Sequence, residues 1–140
     1  MNEKLKLENQ LCFPLYACAK EVVRRYAPLL EPLGLTYTQY IAMMVLWEHK
    51  SVTVKELGKK LYLDSGTLTP MLKKMEKAGW LVRERSKSDE RVVVVTITSA
   101  GEQLQEKAAD IPIRMSQCIK LESDNAMRLY SLLNELLKKM

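Results

Sequence analysis

Residues 53 to 98 read TVKELGKKLYLDSGTLTPMLKKMEKAGWLVRERSKSDERVVVVTIT, and the changes of periodicity within them decide the fold. Thr53-Val-Lys-Glu56 has the hydroxyl-to-carboxylate spacing of a capping box and predicts a short helix through about Leu61. Asp64 or Ser65 caps a second helix, which runs to about Ala78 and stops at Gly79. Beyond the glycine the pattern turns extended. Trp80 to Arg85 and Val92 to Thr98 are rich in β-branched and apolar residues and flank the polar turn Ser86 to Arg91, which makes a hairpin with a charged tip. Two short helices joined by Tyr62-Leu-Asp64 and followed by a basic hairpin have the layout of a winged helix-turn-helix.

The side chains suit that layout. Ser65, Thr67, Thr69 and Pro70 fall in the first turns of the second helix, where a recognition helix meets base edges, and Lys73 and Lys74 follow where phosphates would lie. Leu68, Leu72 and Met75 keep the opposite face for the core. At the hairpin tip Arg91 is a long planar donor able to enter a narrow minor groove, and Arg85 and Lys87 suit phosphate contact. Asp89 either holds Arg91 or fixes the turn; ordinary solvation of a hairpin tip is the plainer alternative for Asp89 and Glu90. Charge points the same way. Of the net +5, all resides in residues 50 to 91, with eleven Lys and Arg against six Asp and Glu, while the remainder carries eleven of each.

Working outward, Thr36 and Gln39 form another capping box that opens a helix through about Glu48, and Ser51 to Thr53 is short and β-branched. Upstream, Leu7, Leu11, Leu15, Ala19, Val22, Val23 and Tyr26 share one helical stripe, which Pro28, Pro32 and Gly34 break. Downstream, Ser99-Ala-Gly-Glu102 predicts a capped helix toward Ile119 that Pro112 kinks or interrupts. A last helix capped by Ser123 sets Met127, Tyr130, Leu133, Leu136 and Leu137 on one stripe. The expectation is a single domain, 1–140, mainly α with a small β-hairpin wing. Residues 51–98 form the winged helix-turn-helix, and 1–34 with 99–140 supply dimerisation helices whose apolar stripes a second copy would bury in a homodimer.

Composition excludes several classes. Hydrophobic content of 47% is that of a globular chain, and the longest uncharged apolar run, Ile41 to Trp47, is far below the roughly 20 residues of a membrane span. The charged first ten residues carry no secretory apolar region, so a cytoplasmic location with no membrane partner is expected. Three cysteines without CxxC spacing and one histidine form neither a disulfide framework nor a zinc site, so no metal and no cofactor is expected.

The chain resembles the MarR family of winged-helix regulators, whose wing motif stands here as Asp89-Glu-Arg91 followed by Ile97-Thr98. More narrowly it resembles the organic hydroperoxide resistance regulators. The resemblance rests on Gln10-Leu-Cys-Phe13, Leu15-Tyr-Ala17, Leu35-Thr-Tyr-Thr-Gln-Tyr40, Leu46-Trp-Glu48 and Leu61 to Leu72, and spans the chain to about residue 112. It implies a repressor dimer that binds a palindromic operator in double-stranded DNA and releases it when an organic hydroperoxide oxidises the cysteine after the Gln-Leu pair, Cys12. The partner tyrosines implied are Tyr26 and Tyr37, with Tyr16 nearby. Some members of the family resolve the oxidised sulfur with a second cysteine of the partner chain near the C-terminus. Cys118 lies close to that location and is the candidate resolving thiol, a low-molecular-weight thiol being the other outcome.

Thiol chemistry adds constraints of its own. The thiolate is the nucleophile, so a peroxide sensor needs an accessible sulfur where an anion is favoured. Pro14 suits a first helical turn, so a helix starting near it would leave Cys12 just outside a positive helix end. Tyr16, four residues on, shares the face of Cys12, whereas Tyr26 stands roughly 21 Å further along the same axis and can serve the sulfur only across a dimer. Cys18, on another face, reads as core packing. No histidine, arginine or threonine near Cys12 offers the activation of a thiol peroxidase, and His49 reads as a helix-end residue, so no enzyme is expected. Two rivals remain: a MarR-type regulator answering a small phenolic ligand, with Cys12 incidental, and a nucleoid protein binding without sequence preference.

Overall fold

The computed structural model describes residues 1–140, and local chemistry explains most of its element boundaries. The first ten residues form two 3-10 turns, Glu3–Leu5 and Leu7–Asn9. Asn9 Nδ2 donates to the Glu3 carbonyl at 2.7 Å, and Gln10 Nε2 donates to the carbonyls of Lys4 at 2.7 Å and Lys6 at 2.8 Å. These bonds occupy backbone carbonyls of the segment and hold it in short turns, so the helix expected from Leu7 starts later: α1 spans Cys12–Leu30. It also runs through Pro28, which was expected to break it. An interior proline costs roughly 3 kcal/mol. Leu29 and Leu30, both buried just after it, stabilise by about 1.5–3 kcal/mol each, and packing wins.

Helix α2, Tyr37–His49, opens with the expected Thr36–Gln39 capping box and sends Tyr40, Ala42, Met43 and Leu46 into the core. Strand β1 is Ser51–Thr53, and the Thr53–Glu56 capping box opens α3, Val54–Leu61. Helix α4, Ser65–Lys77, takes Asp64 as its cap, with the Thr67 N–H donating to Oδ1 at 2.7 Å. Its buried face holds Leu68, Leu72 and Met75 as expected, with Met71 beside them. Strands β2, Leu81–Arg85, and β3, Val93–Ile97, pair antiparallel, and β1 pairs with the other side of β3, giving the order β1-β3-β2.

The cap of α5, Ser99–Ala108, is Thr98 rather than Ser99. The Thr98 hydroxyl donates to the Gly79 carbonyl and accepts from the Gly101 N–H at 3.1 Å, so one side chain ties the helix start to the residue before the wing. Gly101 is required there: a Cβ would run into the Trp80 carbonyl oxygen and Ile97. Its own carbonyl accepts from Trp47 Nε1 at 2.9 Å.

Met1–Ala109 and Asp110–Met140 are two compact units. In the second, α6 covers Ile111–Cys118, with Pro112 in its first turn, so the proline interrupts the expected long helix by starting a new one. Helix α7, Ser123–Lys139, follows Glu122 without a side-chain cap; Ser123, expected as the cap, is already helical. No residue of α7 is buried, and Met127, Tyr130, Leu136 and Leu137 stand exposed on it. At the other end of the chain Leu7, Leu11 and Leu15, read as part of a stripe that a second copy would bury, are exposed in the single chain as well. No helix is long and apolar enough to cross a membrane.

Candidate nucleic-acid interface and thiol site

The turn between α3 and α4 is tight because Tyr62 adopts the left-handed conformation at φ 57° and the Leu63 N–H bonds back to the Gly58 carbonyl at 3.0 Å. Gly58 makes the turn fit. A Cβ there would stand 2.7 Å from the Leu63 carbonyl oxygen and 2.9 Å from Leu68 Cδ1. Gly58→Ala is expected to destabilise the fold by about 1–3 kcal/mol through overpacking, read as a lower midpoint in urea unfolding.

Facing this turn is the wing. The Asp89 carboxylate accepts from the Arg91 backbone N–H at 3.0 Å, from Nε at 3.1 Å and from Nη2 at 3.3 Å, so the aspartate both fixes the turn and holds the arginine. Arg91 is nonetheless 91% exposed, so its guanidinium is oriented without being covered. Arg85 Nη1 donates to the Glu90 carbonyl at 2.8 Å and braces the tip from within. The Arg91 hydrogen bonds hold the Asp89 carboxyl below the ordinary aspartate range. A depressed folded value means that this contribution is present above the ordinary range and is lost as the pH falls through the lowered value. The tip is therefore expected to keep its order from neutral pH down to the ordinary aspartate range, and Arg91 amide and side-chain NMR signals should shift only below it.

Between α3, α4 and the hairpin lies a cleft of about 1110 Å³. Six cations line it, Lys55, Lys59, Lys73, Arg83, Arg85 and Arg91, against the single carboxylate of Asp64. Of the residues expected at the interface, Ser65, Thr69, Lys73, Arg85 and Arg91 line the cleft. Thr67, Pro70, Lys74 and Lys87 lie exposed outside it, and Asp89 is half-buried under Arg91. Lys55 and Lys59 escaped the sequence reading, although their spacing of four on α3 puts them on one helical face.

At the thiol site, Cys12 is exposed and occupies the first position inside α1, rather than lying outside the helix. Leu11 before it offers no side-chain cap. Tyr16 is exposed and carries the Lys20 ammonium 5.9 Å from its ring centroid, apart from the other tyrosines. Tyr26 and Tyr37 do come together, with ring centroids 4.8 Å apart. A third ring, Tyr40, lies 5.8 Å from Tyr26 and 6.4 Å from Tyr37; it was missed, although it follows Tyr37 by one helical turn. Burial pushes the Tyr26 phenol up, with Tyr37 and Tyr40 adding to it, and burial likewise raises Tyr40, so both remain O–H donors at neutral pH. Cys18, read as core packing, is exposed, because α1 enters the core only at its C-terminal end, through Leu29 and Leu30. Cys118 is an exposed residue at the end of α6.

A capped recognition helix, a braced wing and a cationic cleft between them define a winged-helix transcriptional regulator. A family model described as transcriptional regulator SarA/Rot matches residues 24–111. The chain is 50% identical over 136 residues to the organic hydroperoxide resistance transcriptional regulator of Bacillus subtilis (strain 168), covering 97% of this chain and 92% of that one. Its fold matches reduced AbfR bound to DNA with a TM-score of 0.82, at 38% identity over 99% of this chain and 98% of that one. It matches disulfide-formed AbfR with a TM-score of 0.69, at 37% identity over 98% and 93%. AbfR is a protein of Staphylococcus epidermidis. The chain belongs to the MarR-type winged-helix regulators, within them to the organic hydroperoxide resistance regulators.

Proposed function

We propose that this chain is a homodimeric repressor in the cytoplasm that binds a palindromic operator and lets go of it when an organic hydroperoxide oxidises Cys12. The observation that carries the DNA half is the cleft whose lining holds six cations and one carboxylate. Ser65, Thr67, Thr69 and Pro70 meet base edges, Arg91 enters the minor groove, and Lys73, Lys74, Arg85 and Lys87 take phosphates. Residues 51–98 are the reading unit. Segments 1–34 and 99–140 form the dimer, and the uncovered apolar side chains of α7 and of the N-terminal segment support that division.

The sensing half rests on Cys12 at the start of α1, exposed and within the reach of the helix dipole. The thiolate attacks the distal oxygen of the hydroperoxide: an S–O bond forms, the O–O bond breaks, and the alkoxide leaves and takes a proton from water as the alcohol. The sulfenic acid then condenses with a thiol, either Cys118 of the other protomer or a low-molecular-weight thiol, releasing water and leaving a disulfide. The phenol of Tyr26 stands roughly 21 Å along α1 from the Cys12 of its own helix, and Tyr37 packs against Tyr26, so both serve the sulfur across the dimer. Each oxidised protomer reduces one hydroperoxide without turning over, so the chain is a regulator and not an enzyme.

Support comes also from AbfR, which is known both reduced on DNA and with a disulfide formed, the two states this mechanism needs. The test is fluorescence anisotropy on a palindromic duplex selected by the reduced protein from a randomised pool. Cumene hydroperoxide is expected to release the duplex and a dithiol reductant to restore binding. Unchanged affinity after oxidation contradicts the sensing half, and release by a phenolic acid with the thiols intact would replace it.

A further inference from the structure

Strand β2 is an edge strand, so alternate backbone N–H groups point away from β3 and need a partner elsewhere. For Arg83, opposite Val95 in the register, that partner is Glu76 in the last turn of α4. Glu76 Oε2 accepts from the Arg83 N–H at 2.9 Å, and Oε1 accepts from Nε at 3.3 Å and Nη2 at 3.1 Å. One carboxylate thus takes the backbone N–H and two guanidinium N–H groups of a single residue. The pair is sheltered, with side chains 23% exposed for Arg83 and 35% for Glu76. The backbone hydrogen bond from Arg83, then its side chain, hold the Glu76 carboxyl below the ordinary glutamate range.

The position of this bond is what gives it consequence. Helix α4 and strand β2 are joined by only Ala78, Gly79 and Trp80, and Gly79 turns at φ 89°. The Thr98 bonds to Gly79 and Trp80 pin the foot of the hairpin, and Glu76–Arg83 is the next attachment toward the tip. Above it, Arg85 bonds only within the wing. Arg83 also lines the cationic cleft, and the bonds from Nε and Nη2 to Glu76 Oε1 turn its guanidinium toward the helix and away from a phosphate.

We infer that Glu76 and Arg83 are positioning residues which set the wing against the recognition helix, so that Arg91 and the first turns of α4 reach adjacent grooves together. This inference rests on the DNA reading proposed above. A wing held in its bound orientation loses less freedom on binding, so the contact at its tip gains in effect.

The test is a double-mutant cycle between Glu76→Ala and Arg91→Ala, with anisotropy on the palindromic duplex selected by the wild-type protein. Glu76→Ala is expected to weaken binding by about tenfold. Arg91→Ala, costing tenfold or more by itself, should cost less than about threefold in the Glu76→Ala background. Hydroxyl-radical protection of the minor groove beneath the wing should fall while protection of guanine N7 in the major groove persists. Additive losses, or major- and minor-groove protection falling together, overturn the inference. Arg83→Lys keeps the charge and the backbone bond to Glu76 but loses both guanidinium bonds, and should show a smaller loss in the same direction as Glu76→Ala; wild-type affinity together with wild-type minor-groove protection in a folded Arg83→Lys protein also overturns it. A randomised pool that yields no duplex for the wild type would instead remove the DNA reading, and the inference with it.

Discussion

Cys12→Ser is expected to bind the operator as the reduced wild type does and to keep it at organic hydroperoxide concentrations that strip the wild type completely. The hydroxyl is close in size to the thiol and sits at an exposed first helical position, so the fold should be indifferent to the exchange. Chemically the two are far apart, because serine has no accessible anion to attack an O–O bond. A few kcal/mol separate bound from released at working concentrations, each 1.4 kcal/mol being tenfold in affinity, so loss of the trigger converts a shift of about two to three decades into none. Anisotropy titrations of both proteins against cumene hydroperoxide give the comparison. Equal release from the serine variant would move the trigger to Cys18 or Cys118, which are also exposed. Single Cys18→Ser and Cys118→Ser variants tell these apart.

Arg91→Ala should reduce operator affinity by about ten- to a hundredfold, the range for a specific arginine contact. Its guanidinium is 91% exposed and held only by Asp89, two residues earlier, so the native fold loses little when it is removed. The diagnostic is salt. A dimer places two such arginines on one operator, and each lost contact reduces the slope of log K against log salt by about 1, so the slope should become shallower by about 2. An affinity loss at unchanged slope would mean that Arg91 acts through the wing's shape and not through charge. Asp89→Ala should weaken binding in the same direction but less, since the arginine remains and only its orientation is lost.

Several agreements between sequence and structure lie where the determinant is local, although the cap of α7, read at Ser123, falls at Glu122. The capping boxes at Thr36–Gln39 and Thr53–Glu56 need only four consecutive residues, and both form as read. Asp89 and Arg91 are two residues apart, and their contact was legible for the same reason. Misreadings occur where distant groups compete. Ser99 and Thr98 are both able to cap α5, and Thr98 takes the role because its hydroxyl also reaches the Gly79 carbonyl, nineteen residues away. Pro28 reads as a stop until Leu29 and Leu30 are found buried. In the site, the basic character of residues 50 to 91 was visible, but Arg83 was not singled out within it, because nothing in the chain announces that Gly79 will fold β2 back beside Glu76. Tyr40 was hidden differently, as an aromatic one turn after Tyr37 that could equally have packed elsewhere in the core.

The exposed apolar side chains of Leu7, Leu11 and Leu15 bear on how oxidation would reach the DNA. A second copy that covers them, as the proposed function has it, lies beside Cys12 at the head of α1. A change in sulfur chemistry there acts on the spacing of two recognition helices, which must match half-sites about 34 Å apart.

The decisive measurement follows sulfur and DNA in one sample: limiting cumene hydroperoxide is added to the protein–operator complex, and anisotropy is read alongside peptide mass mapping of quenched aliquots. The account predicts that the Cys12 peptide is oxidised at the rate and stoichiometry with which the operator is released. Release while the Cys12 peptide keeps its unmodified mass, or full oxidation of Cys12 with the operator still bound, would contradict it.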